Sequence, residues 1–166
     1  MINYTSVNTA AGVIYIAEKD GKIIYISIGN DPETNMLRWL KKYFFSEKNG
    51  ENRTELLENV CSQILKFMTG ESEILDFPVE QTGTDFQKSV WSEIACIPYG
   101  KVKTYGELAK LTGKPAASRA VGAACGANPL PLIIPCHRVV GANGALTGFG
   151  GGLEMKEFLL KLEKAI

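Results

Sequence analysis

The chain has a single histidine, His137, among its 166 residues, and four scattered cysteines, Cys61, Cys96, Cys125 and Cys136, with no C-x-x-C pair. That scarcity argues against a Cys/His zinc site, and no metal or other cofactor is expected. Long apolar runs are missing too: no stretch approaches the roughly 20 residues that a membrane span needs. The segment Met1-Ile2-Asn3-Tyr4 has neither the basic region nor the apolar stretch of a secretory leader. The expectation is a soluble, cytoplasmic protein with free thiols. Net charge is absent as well, since 18 Lys and Arg balance 18 Asp and Glu. For the chain as a whole this argues against nucleic acid. The halves differ, however: residues 1–83 carry net −4 and residues 84–166 net +4. The asymmetry points to a polyanion partner for the C-terminal half, although so small an excess also fits a solvated face.

What is present is ordinary globular material. Hydrophobic residues make up 45% and charged residues 22%, enough to bury a core without staples in one large domain or two small ones. In the N-terminal half, Gly12 to Ala17 and Lys22 to Ile28 are β-rich runs joined by Lys19-Asp20-Gly21, which is hairpin turn chemistry. Asp31, Pro32 and Glu33 then predict a capped helix to about Phe45, and Ser46 to Asn52 reads as a loop. Thr54 to Met68 predicts a second helix stopped by Gly70, and Ile74 to Val79 an extended edge segment broken by Pro78. This half carries no recognisable chemistry.

Gln81-Thr82-Gly83 reads as the junction between domains at 1–83 and 84–166. Thr84 or Asp85 caps a helix with Phe86, Val90, Trp91 and Ile94 at helical spacing, broken by Ile97-Pro98-Tyr99-Gly100. Thr104 to Leu111 predicts a short helix with capping-box spacing, and Ser118 to Gly126 another after a short turn. The pair has the cadence of a helix-turn-helix, as many helix pairs do. Its second helix is almost all small residues, so it suits close approach by its backbone, either to another helix or to a tight surface such as a minor groove. Arg119 is its lone charge. Thr147 to Gly152 is a glycine-rich loop, but not a phosphate loop because no G-K-[ST] follows. A flexible wall against a flat ligand fits its composition. Leu153 to Ile166 predicts a closing amphipathic helix with Met155, Phe158, Leu159 and Leu162 inside.

The most informative stretch is Ile134-Pro135-Cys136-His137-Arg138-Val139. Pro131 and Pro135 forbid an interior helix through Leu132-Ile133-Ile134. A short buried segment therefore ends at Pro135 and holds Cys136 in one place. A thiol fixed beside the one side chain that titrates near neutral pH is a candidate nucleophile. A small buried hydrophobe is the plainer alternative for Cys136.

This block, with Thr104-Tyr105, Ser118-Arg119-Ala120-Val121-Gly122, Gly126-Ala127-Asn128-Pro129 and Gly151-Gly152-Leu153…Lys156-Glu157, resembles the O6-alkylguanine-DNA alkyltransferase family. The likeness covers residues 84–166 almost without gaps. It implies an α+β protein with an N-terminal ribonuclease-H-like domain and a mainly helical C-terminal domain containing a helix-turn-helix. The implied activity is single-turnover transfer of the alkyl group from O6-alkylguanine, and from O4-alkylthymine, in duplex DNA to the protein's own cysteine. By the resemblance, Cys136 is the acceptor, His137 acts on it through a water molecule, and Glu157 orients His137 and favours its charged form. Asn128 braces the turn and Tyr105 protonates the leaving base. Arg119 fills the gap left by the extruded nucleotide, while Ser118, Ala120, Gly122, Ala123, Arg138 and Tyr105 meet DNA in the minor groove. Pro131, Val139, Phe149 and Gly150 meet the flipped base. The protein is expected to act as a monomer.

Two departures stand out. Gly126 replaces a basic residue that some members carry at the end of the recognition helix, and the zinc ligands of some N-terminal domains are absent. A methyl thioether does not hydrolyse, and no second cysteine stands near Cys136 in sequence, so the protein should act once. A thiol hydrolase with true turnover is one rival, though it leaves Arg119 and the helix pair unexplained. A non-catalytic lesion binder is the other, and Cys136 counts against it.

Overall fold

A computed structural model describes residues 1–166 as two compact units, Met1–Thr82 and Gly83–Ile166. In the first, β1 (Ile2–Thr9), β2 (Gly12–Lys19), β3 (Lys22–Ser27) and β4 (Asn49–Glu51) form one sheet in the order β3-β2-β1-β4, with only β4 parallel to its neighbour. The β2–β3 turn needs positive φ at both central residues, and Asp20 (51°) and Gly21 (77°) supply it. Consecutive residues are buried in β2 (Ile16, Ala17) and β3 (Ile23, Ile24). Successive side chains point to opposite faces, so both faces of these strands are covered. Helix α1 (Pro32–Tyr43) lays Met36 and Leu40 on Ile2, Ala17 and Ile24. Helix α2 (Glu55–Met68), capped by Thr54, packs against β1 and β2.

Four expectations for this unit change. Strand β1 alternates Asn, Thr and Ser with few apolar residues, so only its pairing with β2 reveals it. Strand β4 lies in the polar stretch expected to be a loop, held by Ile2 N–H donating to Lys48 O at 2.8 Å. Asp31 does not cap α1 with its side chain; it takes a left-handed backbone instead, with φ 48°. The segment 74–79 pairs only at Val79, through an isolated bridge to Ile23.

In the second unit, α3 (Asp85–Ala95) and α4 (Tyr105–Leu111) each begin with a complete capping box, Thr84 with Gln87 and Thr104 with Glu107. Helix α5 (Ser118–Gly126) packs on both. It buries Val121, Ala124 and Cys125 and leaves Ser118, Arg119, Ala120 and Ala123 exposed. Trp91, fully buried on α3, donates its indole N–H to Ala124 O at 2.8 Å and locks the two helices. Strands β5 (Lys103–Thr104) and β6 (Val139–Val140) pair in parallel. Helix α6 (Leu153–Leu162) closes the unit, shorter than the expected run to Ile166. Its buried positions are Met155, Lys156, Leu159 and Leu160, while Phe158 and Leu162 are half-buried. No helix is long and apolar enough to cross a membrane.

Gly83 has no room for a side chain, because a Cβ there would lie 2.4 Å from the Trp91 ring. Since Trp91 is pinned by its hydrogen bond, Gly83→Ala should lower the unfolding free energy by about 1–3 kcal/mol. Urea denaturation would show this as a lower midpoint. An unchanged midpoint would mean that the indole moves aside freely.

Candidate active site

Cys136 opens a single 3₁₀ turn, Cys136–Arg138, at the end of a stiff approach. Leu132 is buried with φ 77°, a left-handed conformation that costs a bulky residue about 1–3 kcal/mol and persists only where the surroundings enforce it. Pro135 (φ −80°, ψ 67°) is the centre of an inverse γ-turn, closed by Cys136 N–H donating to Ile134 O at 2.8 Å. Asn128 braces this chain from the side. Its Oδ1 accepts from Leu130 N–H at 2.9 Å, and its Nδ2 donates to Ile134 O at 2.9 Å and to Cys136 Sγ at 3.0 Å. Bracing by Asn128 was the expectation. Direct contact of its amide with the sulfur is new.

Cys136 is 3% exposed. Burial pushes its thiol well up, and the Cys125 thiol raises it further. Cys125 lies eleven positions earlier in the sequence, near the end of α5.

His137 is fully buried, and its Nε2 lies 2.5 Å from Glu163 Oε2. The orienting carboxylate is therefore Glu163, and the assignment to Glu157 is wrong. Glu157 lies on the exposed side of α6, ion-paired with Lys161 at 2.9 Å. Glu163 follows the last turn of α6, where the chain bends inward, and its carboxylate also accepts from Gly100 N–H at 3.1 Å. Burial favours the neutral acid, yet hydrogen bonds from His137, Arg138 and Gly100 override it and bring Glu163 down to about 2. Burial also lowers His137, more than Glu163 raises it. Burial thus disfavours the charged imidazole. With Nε2–H given to Glu163, Nδ1 is left as an acceptor, and it has no hydrogen-bond partner in the chain.

Arg138, expected at DNA, is instead an internal strut. It is 7% exposed, grips Glu163 through Nε at 2.8 Å and Nη2 at 3.1 Å, and donates through Nη1 to Ile97 O at 2.7 Å. A buried guanidinium fork turned inward onto a carboxylate is not presented to phosphate. Lys156 was not singled out as a functional residue. It is fully buried, and its ammonium donates to Val139 O at 2.5 Å and Thr147 O at 2.8 Å. It ties the glycine-rich loop to the strand that follows Cys136. Its inward position on α6 was the available signal, but a lysine rarely takes such a place.

The expected substrate residues separate into two groups. Tyr105, Ser118, Arg119, Gly122, Phe149 and Gly150 line a cavity of about 620 Å³, together with Gly126, Thr147 and Gly148. Pro131 and Val139 are buried and do not line it, and neither does Cys136. The Tyr105 phenol donates to Thr147 O at 3.0 Å and Gly148 O at 3.2 Å, which fastens the loop across the helix pair. Burial pushes its acidity down, so the phenol keeps its proton. Arg119 is exposed and makes no hydrogen bond or ion pair. Ala120 and Ala123 are exposed but lie outside the cavity lining. No group of three or more His, Cys, Asp or Glu side chains converges to hold a metal ion.

Residues 85–165 match the family of the 6-O-methylguanine DNA methyltransferase DNA-binding domain. Over 150 residues the chain is 43% identical to the inducible methylated-DNA–protein-cysteine methyltransferase of Bacillus subtilis, covering 90% of this chain and 83% of that one. It is 44% identical over 154 residues to the Methanosarcina acetivorans methylated-DNA–protein-cysteine methyltransferase, covering 90% and 98%. The Mycobacterium tuberculosis O6-methylguanine methyltransferase crystal structure superposes with a TM-score of 0.83 at 34% identity, over 99% of this chain and 93% of that one. The same organism's OGT in complex with DNA gives 0.83 at 33% identity, over 98% and 92%.

Removing the Glu163 charge should cost stability in a pH-dependent way. A carboxyl lowered on folding stabilises fully above its ordinary value of 4.5 and loses that contribution as pH falls toward about 2. Glu163→Gln should lose about 3–5 kcal/mol near neutral pH, because Arg138 is left buried and unpaired. Thermal unfolding across the acid range should show the gap to wild type closing below pH 4.5. A gap that stays constant would place the loss elsewhere.

Proposed function

Because the chain belongs to the methylated-DNA–protein-cysteine methyltransferase family, we propose that it repairs O6-alkylguanine, and O4-alkylthymine, in duplex DNA by moving the alkyl group to Cys136. The observation that carries this reading is the Asn128 amide on Cys136 Sγ at 3.0 Å beside a buried His137 held by Glu163. At rest the thiol keeps its proton. When the alkylated base arrives, that proton passes through a water molecule to His137 Nδ1, the acceptor left open by the Nε2–Glu163 bond. The imidazolium then gains from the Glu163 carboxylate, which is already ionised. Amide donation from Asn128 stabilises the sulfur as its charge develops.

The thiolate attacks the O6-bound carbon, a C–S bond forms and the C–O bond breaks, and its electron pair passes into the guanine ring. Tyr105 then gives its proton to N3 of the leaving base. To do so the phenol must exchange its loop carbonyls, Thr147 O and Gly148 O, for the base. The C–S product is a thioether that water does not cleave, so each molecule reacts once.

Substrate access needs the base outside the helix stack, because the reactive carbon is buried in duplex DNA. Helices α4 and α5 serve as a helix-turn-helix whose small, exposed face enters the minor groove. Arg119 occupies the space vacated by the nucleotide; its exposure and lack of any internal partner support that role. Ser118, Ala120, Gly122 and Ala123 allow close backbone approach, and Gly126 contributes no charge to a phosphate. The extruded base enters beside Phe149 and Gly150. Residues 1–83 form a ribonuclease-H-like domain. The protein works as a cytoplasmic monomer without a metal or other cofactor.

Intact mass after incubation with excess O6-methylguanine duplex should show one added methyl group per chain, mapped to Cys136, and none on Cys136→Ala. Repeated turnover, or methyl on Cys61 or Cys96, would defeat the reading. Arg119→Ala should slow repair of duplex DNA by about tenfold or more, the scale of a few kcal/mol of unstacking. It should leave reaction with free O6-benzylguanine base nearly unchanged. Equal losses on both substrates would place Arg119 in folding or chemistry.

A further inference from the structure

Helix α5 reaches the acceptor turn with little to hold it in register. No side chain caps its N-terminus, and the residues it buries are only Val121, Ala124 and Cys125. Small apolar contacts are non-directional, so a hydrogen bond is needed to fix such a helix on its neighbours. Its C-terminal carbonyls supply one. Ala123 O accepts from Ala127 N–H at 3.0 Å, and Cys125 O from Asn128 N–H at 3.3 Å. Ala124 O, between them, accepts from the buried Trp91 indole at 2.8 Å. In a continuing helix Asn128 N–H would bond to Ala124 O, four residues back. Here the indole holds that carbonyl, and Asn128 N–H bonds three residues back, which tightens the last turn. Trp91 is itself held at both ends. Its far ring edge lies so close to Gly83 that a Cβ there would fall 2.4 Å from Cη2 and 2.7 Å from Cζ3. Gly83 precedes Thr84, whose capping box with Gln87 fixes the start of α3.

We propose that Trp91 is a positioning residue for alkyl transfer: by capping Ala124 O, it ends α5 where Asn128 can present its amide to Cys136. The role rests on the reading of Cys136 as the alkyl acceptor. Its effect passes through one side chain. Asn128 stands two residues beyond the end of α5 and accepts Leu130 N–H on Oδ1 at 2.9 Å. Its Nδ2 donates to Ile134 O at 2.9 Å and to Cys136 Sγ at 3.0 Å. Without the indole donor, Ala124 O is left buried and unpaired, a state that favours recapture of Asn128 N–H and a longer helix. Winding the chain on in that way carries the Asn128 side chain off Ile134 O and Sγ. The sulfur then loses the amide that favours its thiolate. Cys125 on α5, Tyr105 on α4 and Lys156 on α6 also bear on the charge of that thiol, and His137 adjoins it. Replacing Trp91 alters none of those side chains.

Two variants of the full-length protein separate the donor from the ring. Trp91→Phe removes the N–H and shrinks the ring, whereas Trp91→3-benzothienylalanine keeps the bicyclic shape and replaces only N–H by sulfur. Transfer from O6-benzylguanine base and from O6-methylguanine duplex is followed by intact mass across pH, and amide exchange by NMR. Both variants should slow transfer about tenfold on both substrates, below the roughly hundredfold that a misplacement of about 1 Å can cost. The rising limb of the pH–rate profile should move to higher pH, because the amide that favours the thiolate is displaced. The Leu130 N–H, which reports the Asn128 carbonyl, should exchange faster, while Glu163 N–H on Leu159 O keeps its protection. In an Asn128→Ala background Trp91→Phe should cost nothing further, as expected of two residues acting in series. A wild-type rate in the benzothienyl protein would overturn the proposal, as would slowing with an unshifted profile and unchanged Leu130 exchange. Faster Leu130 exchange in the variants of a protein that accepts no alkyl group at all would keep the Trp91 placement of Asn128 and reject the repair reading.

Discussion

The second unit depends on one buried carboxylate. Glu163 receives His137, Arg138 and the Gly100 backbone N–H, so two separate stretches of chain meet on its two oxygens. Each contact has a distinct effect. The His137 bond sets the tautomer, and with it the direction in which a proton can travel. The Arg138 fork compensates the charge that burial would otherwise penalise, and its third arm on Ile97 O ties down the end of the preceding turn. An ion pair this deep gains little net stability over an apolar replacement. What it gains is a histidine held in one orientation beside the thiol.

The thiol shows the same preference for position over ease of ionisation. Burial holds Cys136 protonated, and the strained Leu132 and the Pro135 γ-turn fix where it sits. A nucleophile kept as a thiol is quiet toward most electrophiles. That suits a protein consumed by its own reaction.

Lys156 extends the frame outward. Its ammonium bridges Val139 O and Thr147 O, joining the strand after the thiol to the loop that Tyr105 fastens from the other side. Loop, phenol and acceptor turn therefore share one network. Movement of Tyr105 toward a substrate necessarily loosens the loop at Thr147 and Gly148.

Much of this was legible in the chain because it is written in local chemistry. Capping boxes at Thr84 and Thr104, the Asp20-Gly21 turn and the proline-bounded approach to Cys136 each follow from the conformational limits of a few adjacent residues. Strands β1 and β4 escaped because polar strands are defined by their partners rather than by their own pattern. The carboxylate was misplaced for a related reason. Glu157 and Glu163 are both acidic residues near one helix end, and nothing local distinguishes the one that turns inward. Arg138 likewise reads as a basic residue beside a DNA-directed thiol until Glu163 is seen beneath it. Residue type and spacing determined which groups could do chemistry. Only the tertiary structure decided which groups meet, Glu163 with His137 and with Arg138, because burial and long-range packing select contacts that no short stretch of sequence encodes.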